Sequence, residues 1–518
     1  MKLFNQVQFS RPKRNKFDLS HERKMSLQMA KLYPIMVQPI LPGDSMRVQS
    51  EVFMRFAPML APIMHRVNVY THYFFVPNRI VWNEWEEFIT GGDDGTSAPM
   101  APYIAFNEAN VELFRKKGLA DYMGVPPTTA TDVNKAIKIS ALPFRAYSQI
   151  FNDYYRDQNL QDLLDFSKAS GVVSDPVELS KIMTLLTRAW QKDYFTSCLP
   201  EAQKGPEVEL PTDIKYSPQS TVHRTDGTIN DAGSNNLETA LAGDGGVMAK
   251  GLSDEYSAQI QNIESLGITI NDLRRSSRLQ EWLEKNARGG SRYVEALLSH
   301  WGVISDDARL QRAEFLGGGK TNIAISEVLQ TSGTADETNN YTPTPQGNMA
   351  GHGIGAGASN AFKKKFKEHG YIIGIMSVLP TTVYQQGVPR HFSRFDKLEY
   401  PWPEFAHIGE QEVLNQEVYH DPTIDDTWMA ETFGYQSRYA EEKYGVSTVH
   451  GDMRDELDYW HMSRIFNGRQ ALNEDFIKAN PTKRIFAVED GTEDELYCQL
   501  YHNISAIRPL PYFSNPRL

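Results

Sequence analysis

Strand-forming patterns crowd the two ends of this chain, while residues 77 to 370 carry mostly helical and loop signals. In VNVYTHYFFV, residues 67–76, Val67, Val69, Thr71, Tyr73 and Phe75 fall on one face of an extended segment that Pro77 ends. Leu32 to Phe56 reads as two strands reversing at Leu41-Pro42-Gly43-Asp44. Near the other end, Tyr371 to Tyr384, Arg484 to Val488 and Tyr497 to Ile507 read as three more strands. Strands that begin and finish a chain around inserted helices do not suggest a doubly wound parallel sheet. They suggest one antiparallel scaffold whose first and last strands meet.

The helical signals lie between. Trp82, Trp85, Phe88 and Ile89 recur at helical spacing before Gly91-Gly92, and Phe144, Tyr147, Phe151 and Tyr154 form a second stripe. Leu273 to Ala287, closed by Gly289-Gly290, and Tyr293 to Trp301 are two further helices. Residues 205–265 and 331–361 are polar, Gly-rich and aperiodic, as functional surface excursions are. The aromatic segments 142–160 and 432–445 suit either a core or a contact between subunits.

The 518 residues are 40% hydrophobic and 23% charged, which excludes bulk disorder. No apolar run approaches the roughly 20 residues of a membrane helix, so membrane insertion is not expected. The first residues lack the apolar core of a signal peptide. Two cysteines, Cys198 and Cys498, exclude a disulfide scaffold and suit a reducing compartment. Net charge is −12, yet residues 1–24 hold seven basic groups against Asp18 and Glu22. Residues 1–30 therefore read as a basic arm on an acidic body, 31–518. Within the arm, Arg11, Lys13, Arg14 and Lys16 are the candidate nucleic-acid contacts.

Chemistry is hard to find. Gly317-Gly318-Gly319-Lys320-Thr321 has Glu314 where a phosphate loop needs glycine, and reads as a flexible turn. Gly353-Ile354-Gly355-Ala356-Gly357-Ala358 spells a dinucleotide fingerprint inside a polar loop, without the strand and helix it requires. His461 reads as a packing or hydrogen-bonding histidine and Cys198 as an inert thiol. Asp425-Asp426 and Glu441-Glu442 look like solvated pairs. Lys363-Lys364-Lys365-Phe366-Lys367, with Phe362, reads as a solvated basic turn or as a charge-plus-stacking contact for single-stranded nucleic acid. No catalytic residue, cofactor site or metal site is expected.

Several long blocks resemble the major capsid protein of the Microviridae, in its gokushovirus-like branch. They include RNKFDLSHERK, then LPGDSMRVQSEVFMRFAPMLAPIMHRVNVYTHYFFVPNRIVWNEWEEFITGG at 41–92, LPFRAYSQIFNDYYRDQNL at 142–160 and DYFTSCLPEAQKG at 193–205. NARGGSRYVEALLSHWGVISDDARLQRAEFLGGG at 286–319, EHGYIIGIMSVLPTTVYQQGVPRHFSR at 368–394, HIGEQEVLNQEVY at 407–419 and TFGYQSRYAEEKYG at 432–445 continue it in order. The resemblance implies a mainly β viral jelly roll, an eight-stranded antiparallel barrel with long helix-containing loop insertions. It implies a homo-oligomeric T=1 icosahedral shell around circular single-stranded DNA, assembled in the host cytoplasm and residing in the virion. It also implies a small basic DNA-binding protein packaged with the genome, because one short arm per subunit cannot neutralise so many phosphates. The stretch 205–265 matches the branch's insertion, a three-fold surface protrusion that would meet a bacterial receptor. The alternative is a jelly-roll carbohydrate-binding protein or glycoside-active enzyme, which would line a cleft with paired carboxylates or an aromatic platform.

Overall fold

The computed structural model describes residues 13–93, 95–106, 108–128, 138–206, 208, 222–224, 239–241, 247–249, 256–258, 270–290, 292–329, 349–358, 361–420, 423, 426–488 and 490–513. By its contacts the chain divides into two compact units, residues 1–202 with 288–518, and residues 203–287.

The first unit is built on eleven strands: β1 (Asn15–Asp18), β2 (His21–Leu27), β3 (Tyr33–Ile40), β4 (Ser45–Phe56), β5 (Val67–Pro77), β6 (Glu314–Asn322), β7 (Ala324–Leu329), β8 (Met349–Ala358), β9 (Phe362–Lys365), β10 (Gly370–Pro380) and β11 (Leu496–Arg508). One sheet runs β1–β11–β4–β8–β7, with β2 also on β11 and β9 also on β4. The other runs β6–β5–β10–β3, and every pairing in both is antiparallel. Down the chain, β2, β3, β4 and β5 alternate between the sheets, as do β9, β10 and β11. That alternation is the viral jelly roll, and the strands at the two ends of the chain do meet, β1 and β2 on β11.

The two sheets enclose one core. Leu27, Met46, Val52, Leu496 and Ile504 from the first sheet meet Ile35, Tyr73, Phe75, Ile372 and Met376 from the second. A polar thread crosses that core. Tyr73 donates to Ser50 Oγ (2.6 Å), Ser50 meets His502 Nδ1 (2.6 Å), and His502 Nε2 lies 3.0 Å from the Ile35 carbonyl. The carbonyl can only accept, so His502 carries its proton on Nε2 and Ser50 donates to Nδ1. Each member is satisfied, and the thread fixes how the sheets face each other.

The second sheet is buried on both faces. Phe74, Val76, Ile373 and Ile375 point away from the jelly-roll core and pack under Trp82, Phe144, Tyr147, Ile150 and Leu179 of the insertion between β5 and β6. This explains why β5 is apolar almost throughout: alternation survives only where one face meets water. By contrast, β4 and β11 alternate along their whole length, buried and exposed in turn. Helices at Leu142–Ile150 and Tyr293–Trp301 lie where the periodicity puts them, the first running on as one π turn, Phe151–Tyr155. Trp82 does not lie inside a helix. It is an extended residue between Asn78–Val81 and Trp85–Thr90.

Three expectations are corrected. The segment 317–321 is part of strand β6, and 353–358 is part of strand β8, so neither is a turn or loop. Glycines there serve close approach: a Cβ on Gly318 would lie 2.6 Å from His72 Cδ2, and one on Gly357 2.4 Å from Thr321 Cγ2. Arg484 to Val488 is not a strand. Ile485 and Phe486 are buried in the core, but Phe486 makes only an isolated bridge with Met59.

The second unit contains two short antiparallel ladders, Val222–Arg224 with Tyr256–Ala258 and Thr239–Leu241 with Val247–Ala249, and most of the helix Ile270–Gly289. Most of 205–265 lies outside the described residues.

Burial holds His65, His72 and His502 each down at about 4. Above their unfolded value of about 6.5 they are neutral in both states and carry no penalty. As pH falls from about 6.5 to 4, the unfolded chain takes up protons that the folded one refuses, so stability drops by about 2 kcal/mol per histidine. Melting temperature of the subunit measured across that window should fall, and His502→Gln should flatten the slope. An unchanged slope would show that His502 charges freely in the folded state.

Candidate nucleic-acid interface

Arg11 lies outside the described residues, and Lys13 is exposed just before β1. The Arg14 guanidinium lies against the Gly43 turn. Lys16 is in β1, opposite Ile507, with its side chain exposed on the outward face of the first sheet, which is uncovered among the described residues. Other arm cations are turned elsewhere: Arg23 is mostly buried and donates to the Pro34 and Tyr122 carbonyls at 3.2 Å, while Lys24 pairs with Glu22 at 3.5 Å. Burial accordingly lowers the Arg23 pKa.

The register brings to Lys16 cations that its sequence neighbourhood does not contain. Lys16, Ile507, Ser45 and Lys365 form one cross-strand row, and Asp18, Ser505, Arg47 and Lys363 form the next but one along β11. Arg47 and Lys363 are directly opposite each other on β4 and β9, where like charges repel. Among the described residues neither has a carboxylate partner, and Asp18 is engaged by Ser20. Hydrogen bonding to Ser20 also lowers the Asp18 pKa. Lys364, between them, points inward and pairs with Glu314. This corner of the sheet is therefore a cationic surface. Phe362 and Phe366 do not take part, being 6% and 1% exposed in the core, so stacking on them is excluded. The missed signal is the alternation in SMRVQSEVFMRF and FKKK, which sends Arg47, Lys363 and Lys365 to the same face.

A cavity of about 520 Å³ is lined in part by Tyr384, Arg390, Glu417 and Glu441 of the insertion between β10 and β11 and by Tyr194 and Phe195 of the insertion between β5 and β6. Its carboxylates are occupied in holding the fold. Glu417 accepts from Tyr194 Oη (2.8 Å), the Leu414 amide (3.0 Å) and Arg390 (3.3 Å), and burial raises its pKa. Glu441 accepts from Arg394 (3.0 Å) and Gln411 (2.8 Å), so it is not the solvated residue that its sequence suggests. Glu442, half exposed, also pairs with Arg394.

His461 is buried, with Nε2 2.6 Å from the Met453 carbonyl and Nδ1 accepting from the Ser463 amide at 3.2 Å. Both thiols are buried: Cys498 is pushed up to about 12 and Cys198 further still. Among the described residues no His, Cys, Asp and Glu group is arranged to hold a metal ion, and no helix is long and apolar enough to cross a membrane.

Strands that alternate between two antiparallel sheets, with long insertions between β5 and β6 and between β10 and β11, make the jelly roll found in viral capsid subunits. The chain belongs to the phage capsid protein (F protein) family, Phage_F, which it matches over residues 5–518. It is 33% identical to capsid protein VP1 of Chlamydia phage 1, covering 99% of this chain and 97% of that one. It is 34% identical to capsid protein VP1 of Bdellovibrio phage phiMH2K (99% and 97%) and 31% identical to that of Spiroplasma virus 4 (98% and 95%). These relatives are gokushovirus-like Microviridae, as the sequence blocks imply. The protein is a major capsid protein, a structural component of the virion present in many copies per shell.

Proposed function

We propose that the chain builds a T=1 icosahedral shell around a circular single-stranded DNA genome, with no catalytic step of its own, and that assembly takes place in the host cytoplasm. The observation that carries this reading is the match along nearly the whole chain to a phage capsid family, joined to a jelly roll with one cationic uncovered sheet face. A small basic virion protein would share the work of neutralising the genome, because Lys13, Arg14 and Lys16 with their neighbours are few beside the phosphates that each subunit faces.

The exposed basic residues of 1–30, a segment that includes β1 and β2, face the shell interior. Replacing Arg11, Lys13, Arg14 and Lys16 with Ser should leave shells intact and lower the DNA they hold several-fold. Ultraviolet absorbance of purified particles measures this, and normal DNA content would reduce the arm to a chain terminus.

Residues 205–265 form a three-fold protrusion that meets the bacterial receptor. Asn230, Asp231, Ser234, Asn235 and Asn236 supply hydrogen-bonding groups and little surface to bury, so three copies together would offset the ordering entropy that one cannot. Deleting 220–255 behind a short Gly-Ser bridge should preserve shells and abolish adsorption to host cells. Normal adsorption would remove the attachment role, and failed assembly would make the segment structural.

A further inference from the structure

We propose that the outward face of the first sheet is a platform for single-stranded DNA, on which unpaired bases stack against Phe53, Tyr497 and Tyr501. This deepens the capsid reading and rests on it.

The placement follows from period two. Every second residue of β4 and β11 points away from the core, and the three rings are all on that face, Phe53 and Tyr501 each 38% exposed and Tyr497 52%. The register sets Tyr497 opposite Arg55, Gln499 opposite Phe53, and Tyr501 opposite Glu51. Phe53 therefore lies diagonally between the two tyrosines, about 7–8 Å from each along the sheet, so that separate bases can sit on separate rings. Gln49, Gln499 and Asn503 share the face and offer both donors and acceptors to base edges. Arg55 lies over the Phe53 ring at 5.3 Å.

Charge selects the partner. The face carries six cations, Lys16, Lys24, Arg47, Arg55, Lys363 and Lys365, against Asp18, Glu22 and Glu51, on a chain whose net charge is −12. A polyanion fits this surface, and a basic protein would meet like charges. A folded protein partner would need an apolar centre, whereas each ring here has charged or amide residues beside it. A duplex hides its π faces inside the stack, so rings on an open sheet favour unpaired bases. The second sheet cannot do the same, because the insertion between β5 and β6 covers its outer face.

The test uses the purified full-length chain, titrated with a fluorescent oligothymidylate of about twenty nucleotides and with a duplex of equal length. The wild-type chain should prefer the single strand by about tenfold or more. Combining Phe53→Leu, Tyr497→Leu and Tyr501→Leu should weaken oligothymidylate binding about thirtyfold and leave duplex binding unchanged, because every cation remains. Combining Tyr497→Phe with Tyr501→Phe keeps the rings and should keep the binding, which separates stacking from a folding defect. Equal affinity for the two nucleic acids, or unchanged binding in the leucine variant, would overturn the platform. Sedimentation of the same preparations checks the capsid reading independently: that reading fails if no shells form, whatever the oligonucleotides do.

Discussion

Subunits carrying Phe392→Ser and Phe395→Ser should fold as well as the wild type and fail to close into shells. Phe392 is 68% and Phe395 90% exposed, and Leu398, Tyr400, Trp402 and Ile408 are exposed on the same insertion. A stretch so rich in exposed aromatic and aliphatic side chains has the character of a contact surface, and a shell of many copies needs such surfaces between its subunits. Aromatic anchors contribute about 2 kcal/mol or more each at such contacts, and a closed shell multiplies the loss over every interface. Shell yield, read by sedimentation, should fall about a hundredfold or more, while the melting temperature of the free subunit stays put. Normal shell yield would place the contacts elsewhere. In the segments 142–160 and 432–445, Phe144, Tyr147, Phe151, Phe433 and Tyr439 are buried within the subunit, while Tyr444 is 59% exposed.

Trp82→Ala should cost the subunit about 3–5 kcal/mol, the range for removing a large buried aromatic. The Trp82 side chain is fully buried, its Nε1 donates to Ser170 Oγ (2.7 Å), and its ring meets Phe88 at 4.8 Å and Trp85 at 5.8 Å. It is the first aromatic side chain after β5, and it packs the insertion against the second sheet. Urea unfolding of the free subunit measures the loss. A cost below about 1 kcal/mol would mean that the insertion is held by other contacts.

What could be read beforehand depended on whether a strand advertises itself. Strands β4, β5, β10 and β11 did, through β-branched and aromatic residues in alternation or in unbroken apolar runs. Strands β6 and β8 did not. Their glycines lack side chains to form a pattern, and they are there because neighbouring side chains fill the space a Cβ would need. At 484–488 the error ran the other way: apolar residues entered the core from an irregular segment that pairs at one bridge only.

The candidate site divides along the same line. Sequence alone determined the antiparallel scaffold, the meeting of the chain ends, the capsid family and the basic character of the arm, because each is a property of neighbouring residues or of long matched blocks. Only the tertiary structure decided which cations share a face. Lys16, Arg47 and Lys363 are far apart in the chain, and nothing but strand register lays them on one face. It also removed Arg23, Lys364, Phe362 and Phe366 from that surface by turning them inward. A side chain's direction on a strand is fixed by which partner residue it faces, and that partner is chosen by packing across the whole fold.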